Sequence, residues 1–526
     1  MDFLLAILSG ALLALSFPKF GHPAFAWIAL APLLVAVTHR RLTARRAFLL
    51  GLVTGIVYFT GTLYWLVETM TTFGGLSTPL AGFAAAVLVL YLSLFPSAFA
   101  VIQARLASAF GPMALLAAPA TWVATEMGRT YILDGFPWEL LGYSQAAVLP
   151  VAQLASLVGV YGLSAFVTLV SAAAALTAVD RSPRRWRVAA GVGVLVLAVG
   201  LWGALRIRSG ALTSSGVGIR VAVLQGNIPV DQKWDPKLRD AIMERYIGMT
   251  REAIGRGAQF ILWPESATPA PYEQDVAMGE SIRRLAREAH VTLLIGSDQV
   301  QLVRPVPPDA AEGKPPDAAP TGPTPKPEVR SYNAAYLIRP DGATAAIYRK
   351  IHLVPFGEYV PFGKLLSFVG PIISAVGDMN PFYPGTDTVV LPVAGHSAST
   401  AICYEVIYSS LIRDFVLHGS ELLTTITNDA WYGWSSAAYQ HWQQASMRAI
   451  EEGRYLARAA NTGISGFVDP YGRVLQSSEM FQSAVLMQEV RFLKTRTVYS
   501  RIGDTVGWLS VAFTIAALAA TWRRVR

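Results

Sequence analysis

Ala398-Ser399-Thr400-Ala401-Ile402-Cys403-Tyr404-Glu405 is a run of small and β-branched residues that ends on a thiol, a ring and a carboxylate. Cys403 is the single cysteine in 526 residues. The run reads as a buried strand over 398–403 followed by a turn. A nucleophile at a strand end lets the backbone N–H of the next residue face an oxyanion that develops beside it. Taken alone, a lone cysteine is more often a small buried hydrophobe. Two upstream segments reverse that reading.

The first is Trp263-Pro264-Glu265-Ser266, which sets Glu265 at the end of an apolar run over 260–263. Partial burial there would raise the pKa of the carboxylate toward that of a useful base. On its own, Glu265 reads more simply as a helix-start acid. The second is Tyr348-Arg349-Lys350-Ile351-His352, continuing through Leu353-Val354-Pro355-Phe356-Gly357-Glu358-Tyr359-Val360-Pro361. Two prolines, a glycine and apolar neighbours describe a shaped loop, not a solvated face. Lys350 leads into it and suits an oxyanion donor; Arg349 is the better candidate for an exposed cation without a partner. His352 offers a second base, but Glu265 and Lys350 fit together better. A thiol, a carboxylate and an ammonium are the parts of acyl transfer through a thioester.

Outward from these segments the chain is apolar: 53% hydrophobic and 15% charged residues, with a mean hydropathy of +0.41. Soluble chains carry about 25% charged residues, so this is a membrane protein. One cysteine excludes an intramolecular disulfide and a cysteine-cluster metal site; neither a metal nor a cofactor is expected. The net charge of +8 does not indicate nucleic acid, because the arginines cluster between apolar runs. Residues 1–208 read as an N-terminal bundle of about seven spans, at 3–17, 24–37, 47–69, 80–101, 113–126, 151–179 and 188–207. An eighth covers 506–522, with a tail to 526. The start Met1-Asp2-Phe3 lacks the positive region of a signal peptide, and more spans follow. Basic clusters at 39–46, Arg105, 180–187 and 522–526 fall on one side if both termini are cytoplasmic. Residues 209–505 then lie on the opposite, periplasmic face. They alternate strand-like runs (220–224, 260–263, 292–296, 334–338, 398–403, 422–427, 454–460, 466–469) with helical stretches (237–255, 276–289, 438–453). The segment 305–328 is crowded with proline and alanine and reads as a flexible surface insertion within this α/β domain.

Five pieces occur in order: Gln225-Gly226-Asn227-Ile228 with Lys233-Trp234; Trp263-Pro264-Glu265-Ser266; Lys350 through Pro361; Cys403-Tyr404-Glu405; and Asn428-Asp429-Ala430-Trp431-Tyr432. Together they resemble the nitrilase-like (carbon–nitrogen hydrolase) superfamily. Joined to the membrane spans, the whole chain resembles the bacterial apolipoprotein N-acyltransferase family. The resemblance implies an αββα sandwich on a multi-span helical bundle of about eight spans, with Glu265, Lys350 and Cys403 as a catalytic triad. It gives Glu358 the role of orienting the triad and makes Trp234, Tyr404 and Glu405 necessary for activity, with Asn333 a weaker candidate. Plain packing is the alternative for Trp234 and Tyr404. The implied reaction is ping-pong: an acyl group passes from sn-1 of a phospholipid, phosphatidylethanolamine by analogy, to Cys403. From there it passes to the α-amine of a diacylglyceryl-cysteine at an apolipoprotein N-terminus. The implied location is the bacterial inner membrane, and a monomer is expected. The 305–328 insertion is the departure from the pattern. One rival is a membrane-tethered amidase acting on a small amide; another is a transporter or carrier with a degenerate domain. Eight spans favour a lipid substrate over the first, and the intact triad argues against the second.

Both substrates being lipids, the site must communicate with the bilayer. Residues 365–376 are apolar yet lie within the α/β domain, and read equally as a lid dipping into the outer leaflet or as a core helix. Phe368 and Ile372 are its candidate lipid contacts, and Trp431 and Trp434 a second interfacial wall. On the lid reading, replacing Phe368 and Ile372 with serine impairs turnover in proteoliposomes and leaves thermal unfolding unchanged; on the core-helix reading, the unfolding temperature falls.

Overall fold

The computed structural model describes residues 1–38, 42–133, 135–303, 327–359 and 382–525. Most of the 305–328 insertion, Phe368 and Ile372 lie outside the described residues.

Twelve described strands form two six-stranded sheets. The first sheet contains β1 (Val217–Gln225), β2 (Phe260–Leu262), β3 (Thr292–Val303), β4 (Glu328–Ile338), β5 (Thr344–Arg349) and β12 (Ala484–Phe492), in the order β12-β1-β2-β3-β4-β5. The second contains β6 (Leu391–Val393), β7 (His396–Ile402), β8 (Leu422–Thr427), β9 (Leu456–Ala460), β10 (Gly466–Val468) and β11 (Val474–Ser477), in the order β11-β10-β9-β8-β7-β6. β1, β2 and β3 run parallel, as do β7, β8 and β9. Such strands are buried on both faces, so they read as unbroken apolar runs. Alternation along β1 divides its side chains: Val221 and Val223 enter the core between the sheets, while Ala222 and Leu224 pack with Ile242, Tyr246 and Ile282 on the covering helices Arg239–Gly255 and Val276–Ala289. The helices Ser409–Leu417 and Ala437–Glu452 belong to the second sheet. The layers are therefore helix, sheet, sheet, helix.

Of the eight apolar segments, five are helices long and apolar enough to cross a membrane: Ala44–Leu63, Thr78–Phe110, Ala155–Val179, Arg184–Ser209 and the helix from Thr505. Asp2–Ala14 has 13 residues, about 20 Å of helix, less than a bilayer core. The second segment splits into a 3₁₀ turn, Pro23–Trp27, and the helix Ala31–Thr38. The fifth likewise splits into Pro112–Ala117 and Ala118–Tyr131. Proline at each turn start limits how far the helix extends backwards.

The bundle and the α/β unit share a buried polar seam. Gln440 accepts the indole N–H of Trp65 (3.2 Å) and of Trp138 (2.8 Å). Arg448, fully buried, donates to the Tyr143 hydroxyl (2.7 Å) and pairs with Glu451 (3.1 Å). Glu451 in turn accepts the Val160 N–H at 2.8 Å. That N–H follows a kink in Ala155–Val179 at Gly159, whose φ of 67° and ψ of −177° are essentially confined to glycine. A Cβ there would also stand 2.4 Å from the Tyr499 ring. Gly159→Ala is expected to cost roughly 1–3 kcal/mol in backbone strain, with ring displacement added; a thermal-unfolding scan in detergent reads this as a lower melting temperature.

Candidate active site

Three strands of the two sheets end on the residues of interest. Lys350 directly follows β5 and Cys403 directly follows β7; Glu265 lies three residues past the end of β2. Parallel strands place such ends along one rim, where ligands of α/β sheets bind. The Lys350 N–H donates to the Asn333 carbonyl on β4 (2.9 Å), so the hairpin sets those two residues side by side.

The side chains converge. The Lys350 ammonium, 1% exposed, lies 3.3 Å from Glu265 Oε1 and 2.9 Å from Glu358 Oε1. Asn333 Nδ2 donates to the same two oxygens, at 2.7 and 2.9 Å. Glu358 Oε2 accepts the Val354 N–H (2.7 Å), which ties the shaped loop to its own carboxylate. Glu265 Oε2 accepts the Asn428 N–H (2.8 Å) from the loop after β8, linking the first sheet to the second. That leaves this oxygen a further lone-pair position.

The electrostatics follow from burial against pairing. The expected rise of the Glu265 pKa is corrected: burial alone would raise it, but Lys350, Asn333 and Lys233 together bring it below the ordinary carboxylate value. Burial would discharge Lys350; Glu265 and Glu358 outweigh it and keep the ammonium charged. Burial pushes the Cys403 thiol well up, and the Glu265 charge pushes further, with Lys350 only partly opposing. The resting site thus holds a neutral thiol beside an ionised carboxylate and an ammonium.

Glu405 is fully buried. Its Oε1 accepts the Tyr348 hydroxyl (2.7 Å) and the N–H groups of Ile351 (2.6 Å) and His352 (3.1 Å); Oε2 accepts the Ile402 N–H (2.7 Å). Burial lifts its pKa to about 7. One carboxylate therefore rivets the loop carrying Lys350 to the turn carrying Cys403. Cys403 has a φ of 53°, uncommon for a residue with a side chain.

Other expected residues lie around this centre. The Tyr404 ring is buried, stacked on Phe136 (6.4 Å) and edge-on to Tyr408 (5.4 Å). Trp431 meets Phe73 of the bundle edge-on (5.6 Å), while Trp434 is 65% exposed with one face on Phe481 (4.6 Å). Trp234 is 49% exposed, with the Lys233 ammonium 5.3 Å from its ring centre. The His352 ring stacks on Tyr408 at 4.2 Å, and burial favours its neutral form. Arg349 corrects the expectation of a cation without a partner: it donates to Gln299 (2.7 Å) and lies over the Tyr332 ring (4.6 Å).

Sequence reasoning passed over several groups here. Lys233 is buried, its ammonium 3.4 Å from the Glu265 carbonyl. Asp298 accepts the Ser266 hydroxyl (2.8 Å). Lys233 and Asn428 sat inside quoted motifs and could have been found there. His441, whose Nε2 lies 3.1 Å from the Cys403 carbonyl, is 38 residues from it in sequence and carried no signal. Among the described residues, no group of three or more His, Cys, Asp or Glu side chains could hold a metal ion.

The apolipoprotein N-acyltransferase N-terminal domain matches residues 9–173, and the carbon-nitrogen hydrolase domain matches residues 220–498. An apolipoprotein N-acyltransferase of Geobacter metallireducens is 37% identical over 99% of this chain and 96% of its own length. The chain belongs to the apolipoprotein N-acyltransferase family. Relatives bearing the same name from Methylococcus capsulatus (33% identical; 95% of this chain, 92% of the relative) and Bradyrhizobium diazoefficiens (34% identical; 85% and 80%) extend the match. In this family member, the buried seam joins the two matched regions.

Any chemistry that needs Glu265 ionised should persist below the ordinary carboxylate range, because its folded-state pKa is lowered. Asn333→Ala removes a donor that favours the charged form, so the acid limb of the pH–rate profile for acyl transfer moves to higher pH. An unmoved limb would mean that Asn333 does not tune the carboxylate.

Proposed function

We propose that the chain acylates the α-amine of the N-terminal S-diacylglyceryl-cysteine of apolipoproteins, drawing the acyl group from a phospholipid through a thioester on Cys403. Membership of the family makes it a bacterial membrane acyltransferase of lipoprotein maturation. The observation that carries the finer reading is the buried convergence of Lys350, Glu265 and Glu358 beside the Cys403 thiol, in a unit seated on apolar helices.

In the first half-reaction Glu265 takes the thiol proton as sulfur attacks the ester carbonyl. The tetrahedral oxyanion receives the Lys350 ammonium and the backbone N–H that follows the nucleophile. The ester C–O bond breaks, and Glu265 returns the proton to the leaving lysophospholipid oxygen. In the second, the lipoprotein amine attacks the thioester; Glu265 takes a proton from the nitrogen and passes it to sulfur as the C–S bond breaks. The balance is ester plus amine to amide plus alcohol, so no nucleotide is consumed. Glu358 and Asn333 hold the ammonium and the carboxylate in register throughout.

The arrangement of domains follows the same reading. Residues 1–208 form the bundle, 209–505 the periplasmic catalytic domain and 506–526 the last helix and cytoplasmic tail. The protein acts as a monomer in the inner membrane, with phosphatidylethanolamine as donor.

A nitrilase-type amidase would use the same triad, with water resolving the thioester. Mass spectrometry after incubation with phosphatidylethanolamine separates the two. A fatty-acyl mass on Cys403 that persists in water and clears on adding a diacylglyceryl lipopeptide is expected. Glu265→Gln should slow its formation by about 10²–10⁴-fold. The proposal fails if the adduct never forms, or if water clears it as fast as the lipopeptide does.

A further inference from the structure

His441 sits in the Ala437–Glu452 helix, fully buried, and faces the nucleophile's backbone. Its Nε2 lies 3.1 Å from the Cys403 carbonyl oxygen. Its Nδ1 lies 3.0 Å from Arg458 Nη2 and 3.0 Å from Asp429 Oδ1. Arg458 Nη2 also donates to Asp429 Oδ2 (2.8 Å), and the Thr427 hydroxyl donates to Asp429 Oδ1 (2.8 Å). Asp429, His441 and Arg458 have no exposed side-chain surface.

These partners assign the tautomer. A carbonyl oxygen only accepts, so Nε2 must carry the hydrogen. Burial and the Arg458 charge disfavour the imidazolium, so the ring has one N–H to give. Nδ1 is then bare and accepts from Arg458 Nη2, which also donates to Asp429; the 3.0 Å approach of Nδ1 to Asp429 Oδ1 brings two acceptors together and carries no hydrogen bond in this tautomer. Arg458, donating to Nδ1, and the Cys403 carbonyl, accepting from Nε2, thus keep the hydrogen on the nitrogen that faces Cys403.

The carbonyl of Cys403 and the N–H of Tyr404 belong to one planar trans peptide and point in opposite directions. Holding one fixes the other. Cys403 needs that hold, because its φ of 53° is a conformation an L-residue leaves readily. As an early N–H of the helical turn Cys403–Ile407, the Tyr404 N–H receives no partner from the turn itself.

We propose that His441 is a positioning residue: its Nε2–H holds the Cys403–Tyr404 peptide in one orientation, so that the Tyr404 N–H is preset to receive the oxyanion. This rests on the thioester mechanism above and adds a residue to it. The nearest rings, Trp138 at 5.8 Å and Tyr432 at 6.1 Å, pack around the imidazole and offer the alternative of a purely structural role.

The test uses the full chain in detergent and two reagents for Cys403. Acylation by p-nitrophenyl butyrate passes through a tetrahedral oxyanion and needs neither phospholipid nor lipoprotein. Alkylation by iodoacetamide displaces iodide at a saturated carbon and forms no oxyanion. His441→Phe keeps ring volume and loses the donor; His441→Gln keeps an N–H at the ε position. The expected result is that His441→Phe acylates about 10²-fold more slowly, the order seen on losing one oxyanion donor, while alkylation is unchanged. His441→Gln should recover most of that loss. Equal loss of acylation and alkylation, wild-type acylation in His441→Phe, or no recovery in His441→Gln would each overturn the proposal. If wild-type protein reacts with the nitrophenyl ester but not with phosphatidylethanolamine, the lipid-donor reading fails while this one stands.

Discussion

Lys350 is an ammonium with almost no exposed surface, and the site is organised around keeping it charged. An isolated charge in that position would deprotonate or refuse burial. Two carboxylates prevent this, Asn333 donates to both of them, and the three come from different parts of the chain: Glu265 after β2, Asn333 on β4 and Glu358 from the loop beyond β5. Removing the Lys350 ammonium would leave Glu265 and Glu358 facing each other without the cation between them, which is far costlier than losing an exposed salt bridge. The hairpin register, the shaped loop and the rim of the first sheet are thereby constrained together.

The second sheet is locked to this centre by two carboxylates that accept backbone N–H groups across the sheets. Glu265 reaches across to the Asn428 N–H, and Glu405 reaches back to the N–H groups of Ile351 and His352. Lys350 and Cys403 sit on different sheets, so without such bridges the breathing of one sheet against the other would vary the distance between them. Acyl-transfer chemistry is sensitive to small misplacements of this kind.

The Ala437–Glu452 helix serves two partners. His441 faces the nucleophile, while Gln440, Arg448 and Glu451 bond to the bundle. Residues 441, 444, 448 and 451 recur at three- and four-residue spacing along one stripe, and Gln444 meets Glu139 there. The turn carrying Cys403 and the apolar helices thus share one rigid element.

Much of this was legible in the residues. The strand ends carrying Glu265 and Cys403 were readable because parallel strands buried on both faces leave unbroken apolar runs that stop sharply at polar side chains; Lys350 was legible from the proline- and glycine-shaped loop that follows it. β5, β6, β11 and β12 were not among the strands read. They lie at or next to sheet edges, where partial exposure blurs the pattern. Low charge and long apolar runs marked a membrane protein, but composition could not separate a full span from the short helices Asp2–Ala14 and Ala118–Tyr131, because proline and turn geometry set their length. Arg349 looked solitary only because Gln299 and Tyr332 are distant in sequence. The sequence by itself determined which groups have the chemistry for acyl transfer and that they belong to a membrane protein, since residue type and local pattern are one-dimensional properties. Only the tertiary structure decided how Glu265 is tuned, what holds the Cys403 peptide and how the two units lock. Each of those depends on a charge or hydrogen bond acting through space between segments far apart in the chain.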